Sequence, residues 1–577
     1  MCGRLPVALR MIAGRLVRRR PGELLPALAG ASARADEETV RATFALSYRE
    51  LRPDAARLFR AAAHFPGTTF ALPAAAALAG RDVDTTAQAL DQLVEENMVE
   101  AVGGDRYRYH DLLRRYARDL DEADGTPDAL HRLADWYLTR TAAAIRLFYP
   151  AMVRLPTETD TDEMCFADVA AAAAWLDDEA GNLVALIEAT AVGARPERAW
   201  QLADQLRGYF FVRRDAVSWL ATGRAGLTAA ETAGDLMAQA AMHQTVGQAH
   251  WAVGRHREAL RSYESGVAAA RDSGWLIGEA YLLHNLGLVQ AELGMTDRAH
   301  ELYQHVLRVG TGAGFAHIRA VTLNDLGVMC TEQGRLHDAV RHFRAALAIN
   351  SEVASLPSAT ANRSNLGMVL RQLEEFEPAH EHLQQALTYY CETANQNGEM
   401  STLDELSQLY QQRAEWSAGV AAAARALRIA EVLANPKATA GVLNTLGAAL
   451  LGARAVTEAQ SRFREALTLS RERGYQYTEA QAGIGMADAL LATGATEESR
   501  AAATEALRIT RARDYRILAG DALTILARAA LADDDRAIAR DHCAAAYTCY
   551  RATGTPGRLR ELDRLSREAA ADRFVSA

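Results

Sequence analysis

The sequence predicts an all-α protein, a long superhelical solenoid of paired helices preceded by a small domain of short helices closed by a hairpin. Three observations carry this. A pattern of small and bulky residues recurs with a period of 40 over the back half. Glycines recur in register between the copies, where helices must end. The composition, 49% hydrophobic and 24% charged with only 7% aromatic residues, suits a soluble, mostly helical chain.

The 577 residues suffice for roughly two to four domains. No apolar run approaches the ~20 residues of a membrane span, so no membrane partner is expected. In the opening stretch "MCGRLPVALRMIAGRLVRRR" the charges follow the apolar residues instead of preceding them, which argues against a signal peptide. The six cysteines are scattered without a Cys-x-x-Cys pair and read as reduced thiols of a cytoplasmic protein. Net charge is −10, and the first 120 residues lean basic, so the acidity lies behind them. An acidic stack repels nucleic acid. Of the 63 basic residues only Lys437 is a lysine, in "LANPKATAG" without the required glycines, so the sequence holds no P-loop. No metal-ligand cluster or nucleophile motif stands out either, and the chain reads as non-enzymatic, with no cofactor of its own.

Residues 38–120 read as a winged helix. "ETVRATFALSYREL" has apolar residues at helical spacing, and "RPDAARLFRAAAHF" starts with Pro53 in a first turn and stops before Pro66-Gly67. "FALPAAAALAG" and "DTTAQALDQLVEENMVE" follow, with Asp84 as the expected N-cap of the latter. "VEAVGGDRYRYHD" alternates across a Gly-Gly-Asp turn, which predicts a two-stranded wing. The helix that would read DNA carries Asp91, Glu95 and Glu96 and no arginine, so direct DNA binding is not expected. The basic run Arg114, Arg115 and Arg118 reads as a solvated face or a docking face.

Residues 121–234 read as a helical linker ending in a degenerate first repeat, "YFFVRRDAVSWLATGRAGLTAAETAGD". From residue 235 to 577 the register is firm. A small residue recurs at Gly247, Gly287, Gly327, Gly367, Ser407, Gly447, Ala487 and Ala527. Twelve residues on lie Ala259, Ala299, Ala339, Ala379, Gly419, Ala459, Ser499 and Ala539. One turn further come Tyr263, Tyr303, Phe343, Leu383 and Phe463, with Ala423, Ala503 and Cys543 in the other copies. Small residues on two antiparallel helices permit close approach, and the bulky one fills the gap beside it. Gly274, Gly314, Gly474 and Gly554 recur between copies as left-handed helix ends. Each pair leaves an apolar face that only the next pair covers, so the pairs stack.

This pattern resembles the tetratricopeptide repeat (TPR), whose usual length of about 34 it exceeds by lengthening its helices. Such a stack has an inner face lined by the first helix of each pair. Two positions before the anchor sit Thr245, Asn285, Asp325, Asn365, Glu405 and Thr445. Short polar groups in such a row suit an extended peptide backbone, or else they solvate the groove or tie adjacent helices together. Trp251, Tyr281 and His284 near the same face suit an aromatic anchor pocket or simple packing. The groove candidates are therefore Trp251, Tyr281, His284, Asn285, Asp325 and Asn365, with a protein or peptide as the expected partner.

Four motifs in order resemble the C-terminal half of the SARP-family regulators, which carry a STAND-class NB-ARC ATPase: "GRLPVALRMIAGRL" (Gly3–Leu16), "LSYRELRPDAARLFRAAAHFPG" (from Leu46), "RYRYHDLLRRYARDL" (from Arg106) and "AAAAWLDDEAGNLVALIEAT" (from Ala171). The resemblance implies that residues 1–37 are the end of the NB-ARC helical subdomain, that the Pro6 region packs near an adenine and that His110 reaches the β-phosphate of bound ADP. Tyr109 stands where that family has methionine. The sequence reads as beginning inside the ATPase's third element, so ADP or ATP is expected only in a longer or assembled form, with a P-loop ATPase core in cis or in trans as partner. The implied function is the winged-helix and TPR sensor half of a transcriptional regulator. A free-standing TPR adaptor is the alternative.

Overall fold

The computed structural model describes residues 37–121, 128–149, 153–156, 165–513, 515–551 and 556–570. The expected NB-ARC remnant with Pro6 lies outside the described residues. The chain divides into two compact units, Met1–Leu302 and Tyr303–Ala577.

The front of the first unit holds α1 (Glu37–Arg49), α2 (Pro53–Ala62), β1 (Phe70–Ala71), α3 (Leu72–Ala79), α4 (Val83–Glu95), β2 (Glu100–Gly103), β3 (Arg106–Arg108) and α5 (Asp111–Asp121). This is a winged helix with one strand more than the sequence predicts. β1 pairs antiparallel with β3, Phe70 opposite Tyr107, to give the strand order β1-β3-β2. Two residues are too few to show alternation, and the strand is fixed by tertiary packing: buried Phe70 lies 5.5 Å from Phe65 and 6.0 Å from Tyr107, ring to ring. The wing turns through Gly103, Gly104 and Asp105, all at positive φ. A second correction concerns α4, whose N-cap is Asp82 and not Asp84. The Asp82 carboxylate accepts the Thr85 N–H at 2.8 Å, whereas Asp84 already lies inside the first turn.

Behind the front lie α6 (Ala129–Phe148), α7 (Val169–Ala191), α8 (Glu197–Arg213) and α9 (Ala216–Ala233). Eight helix pairs follow, their first helices starting at Leu236, Leu276, Ala316, Leu356, Gln396, Pro436, Gln476 and Arg516. The first two pairs are α10 (Leu236–Ala252) with α11 (His256–Ser273), and α12 (Leu276–Glu292) with α13 (Thr296–Val309). In the second unit follow α14 (Ala316–Glu332), α15 (Leu336–Glu352), α16 (Leu356–Gln372), α17 (Phe376–Glu392), α18 (Gln396–Gln412), α19 (Trp416–Val432), α20 (Pro436–Gly452), α21 (Val456–Arg473), α22 (Gln476–Ala492), α23 (Thr496–Ala512), α24 (Arg516–Ala532), α25 (Arg536–Arg551) and the closing α26 (Pro556–Ala570).

The small-residue contact is visible in the geometry. A Cβ on Gly247 would sit 2.5 Å from the Tyr263 ring; on Gly327, 2.6 Å from Phe343; on Gly367, 2.7 Å from Leu383; on Gly447, 2.7 Å from Phe463. Where serine replaces the small residue, its hydroxyl bridges the same contact: Ser407 donates to the Gly419 carbonyl at 2.8 Å and Ser499 to the Ala487 carbonyl at 2.7 Å. In both units the first helices of successive pairs also pack on one another, whereas the second helices meet mainly their neighbours in sequence. This asymmetry places the first helices on the inner side of each stack.

The helix ends repeat at half the period. Gly234, Gly254, Gly274, Gly294, Gly334, Gly474 and Gly494 have positive φ, as do Ala354, Glu374, Ala394, Ala414, Ala434, Arg454 and Asp534 at the same 20-residue step. Of the glycines expected at helix ends, Gly314 departs from the rule by lying in a short 3₁₀ turn, Ala313–Phe315; Gly554 falls outside the described residues. A left-handed alanine is strained by its Cβ. Ala394→Gly and Ala414→Gly are therefore expected to raise stability by about 0.5–1 kcal/mol each, read as a shifted urea midpoint at unchanged slope. Gly274→Ala shifts it the other way.

Candidate functional site

The front motifs meet at a buried polar centre. Glu179 of α7 is 3% exposed. Arg106 of β3 donates to its Oε1 at 2.6 Å. The Tyr137 hydroxyl of α6 and the Asn182 amide donate to its Oε2 at 2.5 and 2.6 Å. Arg106 also holds the Thr69 hydroxyl and carbonyl, at 3.0 and 3.2 Å, and a Cβ on Gly67 would collide with Asn182. Burial and the Glu179 charge push the Tyr137 phenol well above its ordinary pKa, so it stays a donor. This centre joins the wing to the first helices of the stack through Glu179 and Asn182, residues of the Trp-Leu-x-x-Glu-x-x-Asn motif.

His110 is exposed at the N-terminus of α5. Its Nδ1 accepts the Leu112 N–H at 3.4 Å and its carbonyl the Arg114 N–H at 2.9 Å, the bonding of a cap residue. The adjacent Tyr109 is core, its hydroxyl donating to the Phe59 carbonyl. Of the basic run, Arg115 and Arg118 are exposed and Arg114 is half-buried; Arg114 donates to the Gly67 carbonyl at 2.9 Å and Arg118 to the Ala63 carbonyl at 3.0 Å, closing the turn after α2.

The groove candidates divide between the units. In the first, Trp251 stacks on Phe211 at 10° and 6.4 Å and donates to Glu292 at 2.9 Å. Tyr281 is half-buried, its phenol pushed up by burial, and His284 is buried. Asn285 is half-buried, with its Nδ2 lacking a hydrogen-bond partner among the described residues. In the second, Asn324 Oδ1 accepts from Asn362 at 3.0 Å and from Asn365 at 2.9 Å, while Asn350 donates to Asn362 at 2.7 Å. Asp325 accepts from Asn324 at 3.3 Å. In the polar row, Asn365 and Glu405 tie adjacent helices together, and Thr245 and Asp325 bond within their own helices. Thr245 donates to its own helix at Ala241, and Glu405 pairs with Arg371 at 2.9 Å.

The position three before each anchor was not singled out from the sequence, although it is polar at Asp204, Gln244, His284, Asn324, Ser364, Asp404, Asn444 and Thr524. At Asp204, which is 1% exposed, burial raises the carboxyl pKa against the pull of Arg207 and the Leu155 N–H. At Asp404, burial and then the neighbouring Glu405 charge push the carboxyl up to about 6. Among the described residues no group of His, Cys, Asp or Glu is placed to hold a metal ion, and no helix is long and apolar enough to cross a membrane.

Residues 318–392 match the family model of the tetratricopeptide repeat. The chain is 34% identical over 273 residues to the regulatory protein AfsR of Streptomyces griseus, covering 45% of this chain and 28% of that protein. It is likewise 34% identical over 256 residues to AfsR of Streptomyces coelicolor, covering 41% and 26%. The chain therefore spans little more than a quarter of the length of these relatives. Among solved structures it is similar to a Signal Transduction ATPase with Numerous Domains protein with a tetratricopeptide repeat sensor from Pyrococcus horikoshii, at 13% identity, covering 92% of this chain and 67% of that one with a TM-score of 0.45. It is also similar to the apo form of the quorum sensor NprR from B. thuringiensis, at 14% identity, covering 62% and 93% with a TM-score of 0.46.

Two outcomes follow from this geometry. Glu179→Ala leaves Arg106 and Tyr137 without their acceptor and is expected to cost about 3 kcal/mol, with amide exchange rising across residues 37–121. Asp404 binds its proton more tightly folded than unfolded, so its contribution lowers stability as pH rises from about 4 to about 6. Subtracting the urea stability of Asp404→Asn from that of the wild type at each pH should give this falling curve, with the variant the more stable at pH 7.5.

Proposed function

We propose that this chain is the non-enzymatic sensor half of a SARP/STAND-like transcriptional regulator: a winged helix docked on a TPR stack whose inner face takes a protein or peptide signal. The observation that carries it is the Arg106–Glu179 centre, which joins the two parts through a charged contact in place of a loose linker. A ligand that shifts α6 or α7 necessarily shifts the groups that hold the wing.

The winged helix is read as a docking module and not as a DNA reader, since α4 offers Asp91 and Glu95 toward solvent. Exposed His110 is free to meet a phosphate only in a form that supplies the P-loop core, to which Pro6 would add its adenine contact. ADP and magnesium titrated into this chain should give no heat in a calorimeter, and tight binding would overturn that part of the reading. The regulatory role is tested in the cell of origin, by comparing transcripts between the wild-type gene and one encoding Glu179→Ala at matched protein level. A changed set of transcripts is expected. Identical profiles would favour an adaptor with no transcriptional role.

A further inference from the structure

Between α6 and α7 in the chain, the described residues Val153–Pro156 lie against α8. Leu155 donates its N–H to Asp204 Oδ2 at 2.7 Å, and Arg207 donates to the Val153 carbonyl, so α8 grips the backbone of this segment by one donor and one acceptor. The Leu155 side chain is only 7% exposed. Tyr149 packs over Gly208, whose Cβ, if present, would lie 3.1 Å from it, and its ring is 6.2 Å from Phe211. Asp204, Gly208 and Phe211 form one stripe along α8.

The same stripe recurs one repeat on as Gln244, Gln248 and Trp251 of α10, and the Phe211–Trp251 stack joins the two. On these helices several side-chain amide atoms lack partners among the described residues. Gln205 Oε1, Gln244 Oε1, Gln248 Oε1 and Asn285 Nδ2 are buried with no hydrogen bond among the described residues, and Gln205 and Gln244 are 3% and 2% exposed. Buried amide groups are nearly always paired, and an orphan costs about 1–3 kcal/mol. Three acceptors and a donor on α8, α10 and α12 match what an extended backbone offers, alternating N–H and C=O.

We propose that α8, α10 and α12 form a binding site for an extended peptide, and that the chain's own Val153–Pro156 segment occupies its α8 end as an internal pseudo-ligand. This rests on the inner face being the signal-binding surface, and it adds where the signal binds and what it must displace. An incoming strand with an apolar residue in place of Leu155 would satisfy the amides of α10 and α12 and release the segment from Asp204. The released segment joins α6 to α7, the helices that carry Tyr137 and Glu179, so displacement acts directly on the contact with Arg106.

The test uses the full chain and a fluorescein-labelled peptide with the sequence of residues 149–156, followed by anisotropy. Leu155→Ser, which weakens the internal segment, should bind the labelled peptide at least roughly tenfold tighter than the wild type, and adding Asp204→Ala should abolish the gain. Equal affinity for wild type and Leu155→Ser overturns the proposal. If Leu155→Ser does not fold, amide exchange decides: the Leu155 N–H should exchange roughly tenfold faster in Asp204→Ala than in the wild type, and equal rates overturn the internal contact. Panning a random peptide library on the same proteins separates this inference from the wider one. Enrichment indifferent to Leu155 and Asp204 overturns the pseudo-ligand while leaving a peptide-binding face, and no enrichment on any variant overturns both.

Discussion

The stacked helix pairs depend on one steric constraint, the close approach of two helices where a small residue meets a bulky side chain. Gly247, Gly327, Gly367 and Gly447 each lie opposite the bulky residue sixteen positions on, Tyr263, Phe343, Leu383 and Phe463. The bulky side chain then fills space that any Cβ would occupy. First helices start every 40 residues, so the contact recurs at the same place in the sequence of each pair. The inner face, and whatever it binds, is a consequence of that regularity.

Regularity also explains where polar chemistry accumulates. First helices pack on first helices, so the inner stripe is crowded and partly dehydrated, and polar residues there must bond across repeats or remain unpaired. Around Asn324, Asn350, Asn362 and Asn365 they bond across repeats. In α8 and α10 several do not, while Asp204 and Arg207 of α8 bond the backbone of Leu155 and Val153. The Arg106–Glu179 centre stands next to this arrangement in the chain. It is held by Tyr137 and Glu179, on the two helices between which the Val153–Pro156 segment lies in the chain.

The repeat was legible in the sequence because its carriers, Gly327 with Phe343 and Gly447 with Phe463, are strict size requirements at fixed spacing. The winged helix was legible through Pro53, the Gly-Gly-Asp turn and helical periodicity, yet β1 was not, since two residues held by Phe65 and Tyr107 carry no local signal. Asp84 misled because Asp82, two residues earlier, offers the same carboxylate to the same turn. The hydrogen bonds of Arg114 and Arg118 were not legible because their acceptors are backbone carbonyls, which sequence cannot display. The site was the least legible part. Sequence left open whether Asn365 faces a peptide, solvent or a neighbouring helix, because its partner Asn324 lies one repeat away. Asp204 gave no signal alone, although a polar residue three before the anchor in most copies marked the row it belongs to.

The most direct measurement is hydrogen–deuterium exchange on Gly447→Val, which forces a side chain into the Phe463 ring. Stability in a stack passes between nearest neighbours, so protection should fall most across residues 436–473 and in the pairs on either side, leaving the winged helix at residues 37–121 unchanged. An unaltered exchange pattern, or an equal loss along the whole chain, would contradict the claim that this contact builds the stack pair by pair.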